Sequence, residues 1–176
     1  MRKSIHNFVI LRSYLPMCVL RSVYFALVQS AIQYGILGWG GISKSNLSPL
    51  ILLQKCIIKI CLNKSLDYPT KLVFSEFNVS EVRKLYKRKL LIFFHKHRLN
   101  LKAQHHPYNT RRNASSPLQE TMCYTTSGAI HSFSFGSRLY NLMLSTIPDI
   151  CTMNLHRFKY SIKYFFELDF LMLSSE

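Results

Sequence analysis

Acidic side chains are scarce in this sequence, and they come late. Eight aspartates and glutamates stand against 23 lysines and arginines in 176 residues, and the first acid is Asp67. Phosphoryl transfer through two magnesium ions needs carboxylates held close together. Asp67, Asp149 and Asp169 are scattered, and no pair has that spacing. Glycine is equally sparse: there are six, and four of them fall between Gly35 and Gly41. These do not follow a strand in GxGxxG spacing, and no Lys-Ser or Lys-Thr completes a phosphate loop. Zinc sites lack their usual signature, since there is no CxxC, Cys56 and Cys61 are five apart, and His95 and His97 would leave a helix on different sides. No serine or cysteine carries a neighbour that marks it as an activated nucleophile.

Long uninterrupted apolar runs are missing as well. Arg21, Gln29 and Gln33 break the run from Leu15 to Trp39, while Gln54, Lys55 and Lys59 break the one from Leu47 to Leu62. Neither suits a membrane span. Behind the basic start Met1-Arg2-Lys3, His6, Asn7 and Arg12 interrupt any signal-peptide core. Cys18, Cys56, Cys61, Cys123 and Cys151 are odd in number and mostly lie in apolar runs. They read as reduced core residues of an intracellular protein, nuclear or cytoplasmic and not secreted.

What is present is apolar content and positive charge. Hydrophobic residues make up 48% of the chain, enough for a folded core, and the net charge is +15. A balance of that size calls for a polyanionic partner, nucleic acid or an anionic membrane surface.

The apolar spacing predicts helices along most of the chain. Residues 3 to 14 form the first, closed at Leu15-Pro16 because proline disfavours helix in the residue before it. A long helix from about 17 to 34 follows, with Arg21, Ser22, Ala26, Gln29, Ser30 and Gln33 on one narrow stripe facing water or a ligand and everything else buried. Tyr34, Gly35, Trp39 and Gly40 then form a structural anchor: glycine costs about 1 kcal/mol inside a helix, so the cluster turns the chain and Trp39 plugs the turn. Asn46 or Ser48 caps the third helix, with Pro49 in its first turn and Lys55 and Lys59 opposite the core face.

A short helix spans about Pro69 to Phe77, and a longer one, capped by Ser80, runs to about Leu101. The longer helix carries charge on one face, with Lys84, Lys87, Arg88, His95 and Arg98 clustered there. From Arg83 to Arg112 the sequence has ten lysines and arginines and no acid. A solvated helix normally mixes both signs, so a phosphate-binding face competes with simple solvation as the reading. Residues 104 to 119 read as a mobile linker, 124 to 135 as short strands or irregular chain, and 136 to 144 as helix. A last amphipathic helix, from about Asn154 to Leu168, buries Leu155, Phe158, Ile162, Phe165 and Phe166 and exposes Arg157, Lys159 and Lys163. From its residues, then, the chain is a basic, mainly α binding module without visible catalytic groups.

The order of features resembles one family. Leu15-Pro16, Tyr34-Gly35-Ile36, Gly38-Trp39-Gly40, Leu47 and Leu53-Gln54-Lys55 resemble the thumb that follows the palm in reverse transcriptases of non-LTR retrotransposons, the LINE-type elements of jockey- or RTE-like kind. Tyr108-Asn109-Thr110-Arg111, Ser132-Phe133, Gly136, Leu139-Tyr140-Asn141, Ile147-Pro148 and Phe158-Lys159 resemble the C-terminal region of the same polyproteins. Tyr140 stands where that family usually has tryptophan, and Leu144-Ser145-Thr146-Ile147-Pro148 replaces a compact Leu-Pro pair, so the C-terminal part is divergent.

The resemblance implies a helical thumb-like domain over 1–102, a basic flexible linker over 103–121 and a partly irregular C-terminal subdomain over 122–176. It implies RNA or a DNA–RNA hybrid as partner, held without sequence preference by Arg21, Gln29, Gln33, Lys55, Lys59, Lys84, Lys87, Arg88, Arg98, Arg111 and Arg112. The palm aspartates and the fingers are absent, so the chain alone would not be an RNA-directed DNA polymerase. Magnesium would belong to that missing palm, and this chain calls for no cofactor. The competing class is a basic helical scaffold or membrane-surface protein without catalysis.

Overall fold

Helix follows helix in the computed structural model, which describes residues 2–65, 67–97, 118 and 132–172. In chain order they are α1 (Arg2–Tyr14), α2 (Met17–Tyr24), a π-helical turn (Phe25–Gln29), α3 (Ser30–Gln33), α4 (Ile36–Trp39), α5 (Lys44–Cys61), α6 (Thr70–Glu76), α7 (Val82–Lys96), α8 (Ser132–Thr146), a 3-10 turn (Pro148–Cys151) and α9 (Leu155–Met172). The chain is thus mainly α, with no β-strand among the described residues. Contacts divide it into two compact units, Met1–Tyr86 and Lys87–Glu176, so the division falls within α7, whereas the sequence reading sets a boundary near residue 102. The expected linker lies outside the described residues except for Leu118, and the strands expected over 124–135 lie outside them as far as residue 131.

In the first unit α5 is the central strut, packed against α1, α2 and α6. Phe8, Leu20, Tyr24, Val28, Ile32, Leu47, Ile57, Ile58 and Val73 fill its core. Pro16 stops α1 as expected, and its own carbonyl receives the Val19 and Leu20 amides at the start of α2. Ser43, not Asn46 or Ser48, caps α5, its Oγ accepting from the Asn46 amide at 3.4 Å. Pro49 therefore sits well inside the helix instead of in its first turn.

The ends of α5 and α6 share one solution. Asn63 and Asn78 adopt the left-handed conformation at φ 55° and 51°. Beyond α5, Asn63 and Lys64 donate to the carbonyls of Ile60 and Lys59; beyond α6, Asn78 and Val79 donate to those of Ser75 and Phe74. Both are Schellman closures, with asparagine in the place glycine usually takes.

The glycine cluster turns the chain through a single residue in left-handed conformation, Gly35 at φ +61°. Trp39 is half-buried and not a sealed plug; its Nε1 donates to the Tyr34 carbonyl at 2.9 Å. The Tyr34 ring is 86% exposed, so only its backbone takes part in the anchor. Gly40 is the tight point: a Cβ there would lie 2.4 Å from Cδ2 of Tyr86.

The second unit is built on the later part of α7 with α8 and α9. Leu90, Leu91, Phe94, Tyr140, Met143, Phe158 and Ile162 make its core. Helix α8 begins at Ser132, before the expected Gly136, and carries that glycine within it. Its place there follows from packing, because a Cβ on Gly136 would lie 2.1 Å from Cε2 of Phe94.

Candidate nucleic-acid interface

The polar stripe expected on the second helix does not survive as one surface. At the π-turn the Ser30 amide bonds the Phe25 carbonyl, five residues back. A π-turn delays the helix rotation, so residues on either side no longer keep a common phase. Ser22, Ala26 and Ser30 are exposed, but Gln29 is buried at 8% exposure, and Arg21 and Gln33 are half-buried. Arg21 is committed internally: Nη2 donates to the Asn78 carbonyl at 3.1 Å and the guanidinium lies 5.4 Å from the Phe25 ring centre. Its Nε and the Gln29 Oε1 are buried without a hydrogen-bond partner. Apolar side chains are not all inside, since Leu27 is 54% exposed.

The lysine pair on α5 splits in the same way. Lys55 is half-buried, whereas Lys59 is buried and engaged within the chain, so it does not stand on an outer face. Cys18, read as a core residue, is exposed, Cys56 is half-buried and Cys61 is buried. Burial pushes the Cys61 thiol up to about 12.

On α7 the expected cationic face begins as read but does not continue to His95, although Lys89 and Lys96 are exposed as well. Arg83, Lys84, Lys87 and Arg88 are half-exposed and follow one another on neighbouring faces. Continuing the line of Lys84 and Arg88 leads to Leu91 and His95, and both are fully buried. His95 is therefore a core residue of the second unit, not a member of the cationic face. Its Nδ1 meets the Tyr140 hydroxyl at 3.2 Å, its Nε2 meets the Met153 carbonyl at 3.0 Å, and its ring stacks on Phe158 at 3.8 Å. Since a carbonyl only accepts, Nε2 donates to Met153. Arg98, Arg111 and Arg112 lie outside the described residues.

Three polar residues hold the fold: His95, expected on the cationic face, and Gln54 and Asn141, which were not singled out as sites. Gln54, fully buried, donates through Nε2 to the Tyr24 hydroxyl at 2.9 Å and the Ser80 carbonyl at 3.1 Å, and its Oε1 accepts from the Val82 amide at 3.3 Å. It thereby joins α2 and α5 to the start of α7. Tyr24 is pushed up to about 12, chiefly by burial, with the Gln54 bond acting in the opposite direction. Asn141 grips Leu118 by both backbone groups, accepting its amide at 3.3 Å and donating to its carbonyl at 3.1 Å. A signal existed for two of the three. Gln54 follows Leu50 and Leu53 and precedes Ile57 at helical core spacing, and His95 follows Leu91 and Phe94 in the same way.

No group of three metal-ligating side chains occurs among the described residues, and no helix among them is long and apolar enough to cross a membrane. Comparison with family models, curated proteins and solved structures gives no match.

Proposed function

We propose that the chain binds RNA or a DNA–RNA hybrid through its sugar–phosphate backbone, in the manner of the thumb and C-terminal region of a LINE-type reverse transcriptase, and carries no polymerase chemistry of its own. The observation supporting this reading is the run of half-exposed cations at the start of α7, Arg83, Lys84, Lys87 and Arg88, in a chain of net charge +15. Phosphate contacts of this kind position a nucleic acid without reading its sequence. Lys55 adds a half-exposed cation on α5. Gln29 and Lys59 leave the set of contact residues because they are buried, and Arg21 leaves it because its guanidinium is engaged with Asn78.

Filter binding of a DNA–RNA duplex over a salt series tests the binding half. Each phosphate contact contributes about −0.7 to −0.9 to the slope of log K against log salt. Lys87→Gln with Arg88→Gln should reduce the slope by about 1.5 and leave the melting curve unchanged. A binding affinity that does not change with salt in the parent chain would overturn the proposal. Primer extension with magnesium tests the other half, and DNA synthesis by this chain alone would refute it.

A further inference from the structure

Helix α9 presents exposed aromatic rings among cations on its outward face. Its apolar side chains Phe158, Ile162 and Phe166 are buried within the second unit, and Phe158 is stacked on His95. Facing away are Tyr160, 64% exposed, and Tyr164, 58% exposed, with exposed His156, Arg157, Lys159 and Lys163 around them. At about 100° per residue these six follow one another over an arc of roughly 160°. The two tyrosines form a ridge along the helix, flanked by Arg157 on one side and by His156, Lys159 and Lys163 on the other. From Leu155 to Phe166 the sequence has no acid, and the first one on the helix is Glu167.

Large exposed aromatic rings amid cations of one sign match the chemistry of a single-stranded nucleic acid, whose unpaired bases have open faces and whose backbone is anionic. The ring centroids of Tyr160 and Tyr164 are 6.0 Å apart. A base between them would need about 3.5 Å on each side, so the pair cannot sandwich one. Each ring offers its outer face instead. A membrane surface is the poorer match, because an interfacial helix inserts its apolar face, and here that face is already used inside the unit.

We infer that the Tyr160–Tyr164 ridge of α9 is a stacking platform for unpaired bases of single-stranded RNA or DNA, with Arg157, Lys159 and Lys163 holding the adjacent phosphates. The inference rests on the residues of α9 and does not depend on the cations of α7. The test is fluorescence anisotropy with a labelled single-stranded 12-mer RNA and a DNA–RNA duplex of the same length, using the full chain. Tyr160→Ala with Tyr164→Ala should weaken single-strand binding by about 10- to 100-fold and duplex binding by less than about threefold. Tyr160→Phe with Tyr164→Phe should keep single-strand binding within about threefold, since phenylalanine still stacks. Lys159→Gln with Lys163→Gln should lower the single-strand salt slope by about 1.4. RNA carrying 5-iodouridine, irradiated with the unaltered chain, should cross-link within the peptide that holds both tyrosines. The proposal is overturned if the unaltered chain does not bind the single strand, if the alanine pair binds it within about twofold of the unaltered chain, or if duplex binding falls equally. It is also overturned if the cross-link maps elsewhere, or if the alanine pair loses only flotation with phosphatidylserine vesicles.

Discussion

Each of the two units is tied together by one fully buried polar side chain, and the two ties are built alike from different chemistry. Gln54 in the first unit and His95 in the second are both 0% exposed, and each connects a buried tyrosine hydroxyl to a backbone carbonyl. The partners are Tyr24 and Ser80 in one unit, Tyr140 and Met153 in the other. The amide has one more use: its oxygen also takes the Val82 amide at the start of α7. The imidazole instead contributes a flat ring that stacks on Phe158. Leaving a buried tyrosine hydroxyl unpaired costs stability, and an amide or an imidazole can each pair with it while also reaching a loop carbonyl. The amide then serves as a cap, and the imidazole as part of an aromatic layer.

The largest effect should come from breaking the ties themselves. Gln54→Leu leaves the Tyr24 hydroxyl, the Ser80 carbonyl and the Val82 amide without their partner, and should cost about 4 kcal/mol in urea melts followed by Trp39 fluorescence. His95→Phe keeps the stacking and removes two hydrogen bonds, not three, so it should cost less, about 3 kcal/mol, read by circular dichroism. Equal costs would mean that the Val82 bond contributes little.

Alkaline pH should weaken the first unit. Burial holds the Tyr24 hydroxyl up to about 12 against an ordinary 10, and the Cys61 thiol up to about 12 against an ordinary 9. As pH rises, the unfolded chain releases these protons first, so the stability they contribute is complete below about pH 9 and is lost as pH climbs through about 12. For Tyr24 the loss is on the order of 2 kcal/mol. Tyr24→Phe should remove that part of the decline when melts at pH 9, 10 and 11 are compared.

The smallest of these effects lies at two glycines beneath aromatic rings, Gly40 under Tyr86 and Gly136 under Phe94. Alanine at either site should cost about 2 kcal/mol by displacing the ring, and at Gly136, inside α8, the preference of a helix for alanine offsets about 1 kcal/mol of that. If thermal melts show Gly136→Ala to be neutral or stabilising, the close approach of Phe94 is not what keeps glycine in the middle of α8.

The helical class was legible because apolar residues recur at helical spacing and because Pro16 and Gly35 end the helices that run into them. The outward face of α9 was equally readable, with Arg157, Lys159 and Lys163 all exposed as expected. The candidate interface was legible only in part. Half-exposed Lys87 and Arg88 sit where a helical wheel puts them, while Gln29, Lys59 and His95 turned inward.

Sequence alone thus determined that the chain is helical, where most helices stop, and that its surface charge is overwhelmingly positive. These follow from local backbone preferences and from composition, which need no knowledge of neighbours. Tertiary structure decided which polar residues face water. One π-turn changes the phase of everything after Phe25, and packing in the second unit closes over the face of α7 that Lys84 and Arg88 begin. Whether a glutamine or histidine is solvated or becomes the tie of a core depends on the tyrosine and carbonyl brought beside it, and those come from distant parts of the chain.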